Sequence, residues 1–343
     1  MSKGILKVFT VVLILFISVS VHASSEEKID IDIKKQLLDL GFESKHIDSI
    51  PNKEIPNILK RFESGAELMD VEYDEETEKV SFTLAVQEAN NQKGEHNDSI
   101  GSQNYENDSL EEKLLQIGYT KEQIQFLPEG YKYEIASEAD KGIELESFTV
   151  MDTNGEEITE EEYTTSQIPE NQFSLTTSVY NRGTDSNNFN TRRVTATFNW
   201  LDSPFWRLTD KIGIAVGDFW NIDYERGGLA YHATGDLSGT RYEYYDYNGE
   251  FHPQVGMDYN IPLKNVYNDE PTINHNGWVN LFIGNHVNQS GELDRTDLVA
   301  NYYHKKVGLN GTISMSPGGP SISITNSTSY DLRQAPNSFD WVR

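Results

Sequence analysis

The sequence predicts an α+β chain: two small helix-hairpin/β modules, followed by an all-β domain folded as an antiparallel sandwich or barrel. Three observations carry this. The first half repeats itself at an offset of 77 residues, Leu37 matching Leu114 and Pro51 matching Pro128. The second half alternates apolar residues with Thr, Ser, Asn and Tyr, is cut by Asn-Gly dipeptides and shows no long helical period. Acidic charge is confined largely to the repeats: residues 24–170 hold 37 acidic and 13 basic residues, whereas 171–343 hold 18 and 13. The chain has 343 residues, enough for two or three domains of roughly 100–200 residues each.

Residues 1–23 read as a secretory signal peptide. Lys3 and Lys7 precede the apolar run Val8 to Val21, and Val21-His22-Ala23 fits a small-residue cleavage site. The run is short for a membrane span of about 20 residues. There is no cysteine, which excludes disulfides, thiolate metal sites and a cysteine nucleophile. Together these features predict an extracellular protein released by a Gram-positive bacterium. A net charge of −27 repels phosphate backbones, so nucleic acid is excluded as a partner.

The first module spans 24–87 and the second 110–168. In each, apolar residues such as Leu37, Leu38 and Leu40 form a helical face, and Gly41 or Gly118 stands where a left-handed glycine ends a helix. Thr120 and Gln123 form a capping box for the next helix. Val80 to Val86 then alternates as a strand does, and Asn154-Gly155 marks a hairpin. Residues 88–109 between the modules hold almost no apolar side chain and read as a disordered linker. The unit Leu37-Leu-Asp-Leu-Gly-Phe-Glu-Ser-Lys-His-Ile-Asp-Ser-Ile-Pro51 resembles helical units of exported Gram-positive bacterial proteins of unknown function, over about 25 residues per copy. The resemblance implies no activity.

Residues 171–343 form the β domain. Expected strands are 174–180, 193–200, 211–217, 229–234, 241–247, 254–260, 278–282, 298–304, 311–316 and 321–325, with turns at Asn248-Gly249, Asn276-Gly277 and Asn310-Gly311. On 241–247 the period of two sets Arg241, Glu243, Tyr245 and Tyr247 on one face and Tyr242, Tyr244 and Asp246 on the other. The arms 312–316 and 321–325 flank Pro317-Gly-Gly-Pro320 and alternate apolar with hydroxyl residues. That pattern suits either a half-buried hairpin or one that enters a membrane, although each arm alternates over only five or six residues and a spanning strand takes about 9–11.

No G-x-S-x-G elbow, H-E-x-x-H pair or P-loop is present, and no cofactor is implied. His232, His252, His275, His286 and His304 are read as ordinary strand and loop residues rather than metal ligands. A calcium loop at Asp152, Asn154 and Glu156 lacks its remaining ligands. The aromatic residues are the stronger signal. Phe205 and Trp206 follow Pro204 in a loop near Trp200 and Trp220, and Tyr242, Tyr244 and Tyr245 share one strand. Phe205, Trp206, Trp220, Tyr242, Tyr244 and Tyr245 are therefore the expected contacts of a non-enzymatic binding domain for a cell-surface glycan or protein. One alternative is a membrane-active β toxin with the acidic half as a pro-region. Another is a hydrolase with a carboxylate pair among Asp202, Asp218, Asp223, Glu225 and Asp236. Oligomeric state is left open.

Overall fold

The computed structural model describes residues 31–52, 54–63, 65–75, 79–86, 101–151, 173–185, 189–200, 204, 207–217, 220–247, 249–286, 293–316 and 320–342. The chain is α+β, and its strands are antiparallel. The first repeat gives α1 (Ile31–Asp39), α2 (Ser44–Ser49), α3 (Ile55–Glu63), β1 (Ala66–Asp74) and β2 (Lys79–Val86). The second gives α4 (Gly101–Ile117), α5 (Lys121–Ile124), α6 (Glu129–Ala136) and β3 (Glu144–Met151).

The repeat is structural as well as sequential. Gly41 (φ +103°) and Gly118 (φ +117°) both adopt the left-handed conformation. The Phe42 N–H then reaches the Leu37 carbonyl at 3.1 Å, and the Tyr119 N–H reaches that of Leu114 at 3.2 Å, the same helix stop in both copies. Thr120 and Gln123 form the expected capping box, with the Gln123 N–H donating to Thr120 Oγ1 at 3.2 Å. Residues 88–100 of the linker lie outside the described set. Its last residues, from Gly101, begin α4 and are not linker.

The β half supplies β4 (Phe173–Thr184), β5 (Phe189–Trp200), β6 (Thr209–Val216), β7 (Asn221–Gly235), β8 (Arg241–Asp246), β9 (Glu250–His252), β10 (Gly256–Pro262), β11 (Val266–Tyr267), β12 (Glu270–His286), β13 (Leu293–Lys305), β14 (Ile313–Ser316), β15 (Ser321–Ile324) and β16 (Tyr330–Val342). The large sheet runs β1-β2-β8-β7-β12-β5-β4-β3, with β11 on β12; the small sheet runs β16-β13-β6-β10-β9; and among the described residues β14–β15 pair only with each other. Neither sheet closes on itself, so the β domain is a sandwich rather than a barrel.

Period-two patterning builds the core. Leu175, Val194, Phe198, Leu229, Tyr231, Val279 and Leu281 project from the large sheet, and Ile212, Ile214, Met257, Tyr259, Tyr302 and Phe339 from the small one, into a single cluster. The opposite face of the large sheet is also covered. Tyr180, Ala230 and Trp278 pack against Leu114, Tyr131 and Ile135 of the second helical module, and β2 with Tyr245 and Tyr247 packs against the first. This double cover explains why the middle of β4 and β5 is buried at every residue.

The acidic repeats form the two edges of the large sheet, since β2 pairs with β8 and β3 pairs with β4. They cannot leave as a detachable pro-region without stripping those edges. Three strands were not expected from the sequence: β9, β11 and β16. The last contains Pro336, which is tolerated because β16 is an edge strand paired only with β13.

The expected turn at Asn276-Gly277 is instead the middle of β12. A Cβ at Gly277 would lie 2.3 Å from the Ala230 carbonyl oxygen and 2.7 Å from the Phe198 ring. Glycine is there for a close approach and not for a bend. Gly277→Ala is expected to destabilise the protein by about 1–3 kcal/mol through overpacking, read as a lowered midpoint in urea denaturation.

Candidate functional site

The outer face of the small sheet carries apolar residues of its own: Ala215, Val255, Val299 and Tyr303. The β14–β15 hairpin covers them. Its register, Ile313↔Ile324 and Met315↔Ile322, places the four apolar side chains on one side. Ile313 (1% exposed) and Ile322 (8%) are enclosed, and Met315 and Ile324 pack beside them. Ser314, Ser316, Ser321 and Ser323 face out and are exposed.

The seat is shaped by two glycines. A Cβ at Gly213 would lie 2.9 Å from Met315 Cε, and one at Gly256 would lie 2.7 Å from Met315 Sδ. The polar ties converge on one acceptor: the Ile322 carbonyl oxygen receives Asn301 Nδ2 at 3.2 Å and Tyr303 Oη at 3.1 Å. Asn301 Oδ1 is buried beneath the hairpin without a hydrogen-bond partner.

In the first arm the alternation extends beyond the paired strand, whereas the second is polar at every position from Thr325 to Ser329. Along 307–316 the odd positions are Val307, Leu309, Gly311, Ile313 and Met315, and the even ones are Gly308, Asn310, Thr312, Ser314 and Ser316. Along 321–330 the odd positions are Ser321, Ser323, Thr325, Ser327 and Ser329, opposite Ile322, Ile324, Asn326, Thr328 and Tyr330. Asn326 and Thr328 are the polar members of the apolar face. No charged residue occurs from 307 to 330, in a chain that is 24% charged, and Lys305, Lys306, Asp331 and Arg333 flank the segment. Val307 (64%) and Leu309 (73%) are exposed.

A second feature lies on the opposite side of the molecule. Helices α3 and α6, equivalent in the two repeats, flank a cleft of about 210 Å3 above β8 and β12, lined by Arg61, Tyr133, Glu134, Tyr245, Tyr247 and Trp278 among others. Its floor is a buried polar network. Glu134 accepts from Trp278 Nε1 at 2.6 Å, from Asn280 Nδ2 at 3.0 Å and from Arg193, and Arg193 (1% exposed) also reaches Glu138 at 3.1 Å. The carboxylates of Glu134 and Glu138 hold the Arg193 guanidinium charged against the cost of its burial.

Beside it, the buried Glu243 meets Arg241 at 2.7 Å, Tyr245 Oη at 2.7 Å and Arg61 at 3.4 Å. Burial raises the Glu243 pKa, but the Arg61 and Arg241 guanidiniums and the Tyr245 hydroxyl outweigh it and hold the carboxyl at about 2. His232 is buried with neither ring nitrogen hydrogen-bonded, and desolvation lowers its pKa to about 3. The network was missed in the sequence, although Arg192-Arg193 within a strand and Glu134 and Glu138 at helical spacing were its visible signs.

The expected aromatic contacts are mostly core. Trp220 is 2% exposed, donates to Thr296 Oγ1 at 2.8 Å and packs on Phe339 and Trp341. Tyr242 is 2% exposed, stacks on Tyr267 at 4.3 Å and donates to Glu270 at 3.0 Å. As enclosed core residues, these two rings present no surface to a ligand, which corrects the expectation for them. Tyr244 is half-buried against the inter-sheet core, and the half-buried Tyr245 reaches the cleft. Phe205 and Trp206 lie outside the described residues, as do Asp152, Asn154, Glu156, Asp202 and Asp218.

The histidines do not converge. His275 bonds to Tyr231 at 2.6 Å, His304 to Asp210 at 2.9 Å and His252 to Asp258 at 2.6 Å, while His232 is enclosed under α6 and His286 ends β12.

No family model matches the chain, and no curated protein matches it. Among solved structures, it is similar to a chain described as "Pore forming protein", with 7% identity and a TM-score of 0.22, over 57% of this chain and 90% of that one.

Two predictions follow from the network under the cleft. Glu134→Ala leaves Arg193 buried with one carboxylate fewer and is expected to cost about 3–5 kcal/mol in chemical denaturation. His232, neutral when folded, contributes stability that is present above its unfolded pKa of 6.5 and is lost as pH falls toward about 3. His232→Leu is therefore expected to flatten the decline in stability between those values, measured by urea titrations at stepped pH.

Proposed function

We propose that the protein is a secreted membrane-active β protein whose 307–330 segment is the membrane-entering element. The observation that supports this best is the hairpin itself. Among the described residues it pairs with no other strand, its apolar side is stored against the small sheet, and no charge occurs along 307–316 or 321–330, the first arm alternating apolar with polar residues throughout. The ten residues of 307–316 meet the length of about 9–11 that a tilted strand needs to cross a bilayer, the second arm would have to bring its polar continuation 325–329 with it, and an absence of charge removes the largest cost of entry.

A single hairpin in lipid leaves unpaired backbone edges, so crossing requires a closed barrel made from several copies. The reading therefore includes assembly on the membrane. It also gives the acidic helical modules a place, as the cover of the large sheet remote from the hairpin.

The glycan- or protein-binding role remains a second reading. It now rests on the cleft, where Tyr133 (48% exposed), Tyr245 and Tyr247 stand beside charged groups.

The chain has no cysteine, so a paired-cysteine variant is unambiguous. In Gly213→Cys/Met315→Cys, loss of the thioether makes room for a bridge from the hairpin to its seat. Full-length protein is expected to release dye from phosphatidylcholine–cholesterol liposomes. The oxidised double variant is expected to lose that release at least tenfold and to regain it on reduction. Equal leakage from the oxidised and reduced forms would remove the hairpin from the mechanism.

A further inference from the structure

We propose that Glu250, His252 and Asp258 form a binding site for a divalent cation of the zinc class on the outer face of the small sheet. The β9–β10 hairpin brings them together. Glu250 is the cross-strand partner of Asp258, and His252 is the partner of Gly256, two residues away. Strand alternation turns Phe251, Met257 and Tyr259 toward the inter-sheet core and leaves the three ligating side chains together on the other face. One ligand atom from each lies within 4.8 Å of the other two. Tetrahedral bonds of about 2.0–2.2 Å to a shared zinc place donor atoms roughly 3.3–3.6 Å apart, so side-chain adjustments on the order of an ångström complete the site.

The chemistry fits the cation. Two carboxylates and a neutral imidazole carry two negative charges and mix hard oxygen with borderline nitrogen, a donor set for first-row divalent ions. Asp258 is only 3% exposed, and its hydrogen-bond partner among the described residues is His252 at 2.6 Å. A carboxylate removed from water with one partner is costly, and a cation bound at the same oxygen would offset that cost. Lys211, the nearby cation, is directed to Asn260 at 2.6 Å. The turn is tight: the Val255 N–H bonds the His252 carbonyl at 3.0 Å, with Gln254 at φ +61°. Both strands therefore hold their ligands in register. Strand β9 is three residues long and pairs only with β10, so a bound cation would also staple the edge of the sheet.

The test uses the full-length chain, stripped with EDTA and titrated with Zn2+ against a fluorescent chelator. One site per chain is expected. Its affinity should fall at least tenfold in both His252→Ala and Glu250→Gln and stay unchanged in His286→Ala. Glu250 is exposed, so Glu250→Gln tests ligation without disturbing the fold. Co2+ provides a second readout, a visible d–d band that disappears in His252→Ala. Absence of stoichiometric binding would overturn the site, and so would binding that survives either ligand substitution, which would mark it as diffuse attraction to an acidic protein.

Discussion

Both faces of both sheets carry apolar residues, and every such face has to be covered. This constraint organises the molecule. The two sheets cover each other across the central cluster. The outer face of the large sheet is covered by the paired helical repeats, and that of the small sheet by the β14–β15 hairpin. The two covers differ in kind. The helical cover is bound into the sheet by β1, β2 and β3 and by the charged network around Arg193. The hairpin cover shares no ladder with the sheet beneath it and is tied mainly through one carbonyl.

Under the proposed reading the hairpin would be stored in water and released at a membrane. Enclosing Ile313 and Ile322 contributes about 3–6 kcal/mol, at about 1.5–3 kcal/mol per fully buried aliphatic side chain. That is enough to hold the hairpin down in water, and a lipid environment would return the same apolar gain. Val307 and Leu309, already exposed, would gain apolar contact on the proposed entry. By contrast, the Arg193–Glu134–Glu138 network ties the helical modules to the large sheet by buried charge, so under the proposed reading they would stay in place if the hairpin moved.

Much of this was legible in the residues. The repeat offset, both left-handed glycines and the capping box are local features, and the structure carries them as read. The strands of the β half announced themselves by alternation, and the faces of 241–247 fell as that alternation required, with Tyr242 and Tyr244 toward the core and Tyr245 and Tyr247 toward the helices. What failed depended on contacts distant in sequence. Gly277 mimics a turn residue, but a carbonyl of β7 dictates it. Trp220 and Tyr242 look like surface aromatics until the second sheet and Tyr267 close over them. The hairpin arms are as short as their alternation implied, Ile313–Ser316 and Ser321–Ile324, and the uncharged sequence beyond them runs through irregular backbone at 307–312 and a short helical turn at 327–329.

The most direct measurement is a single-cysteine scan across 307–330, each variant carrying an environment-sensitive fluorophore and each exposed to liposomes containing lipid-borne quenchers. Membrane entry predicts quenching with a period of two, strong at Val307, Leu309, Met315, Ile322 and Ile324 and weak at Asn310, Ser314, Ser323 and Thr325. A profile without that alternation, or no quenching at any position, would contradict the hairpin as a membrane-entering element.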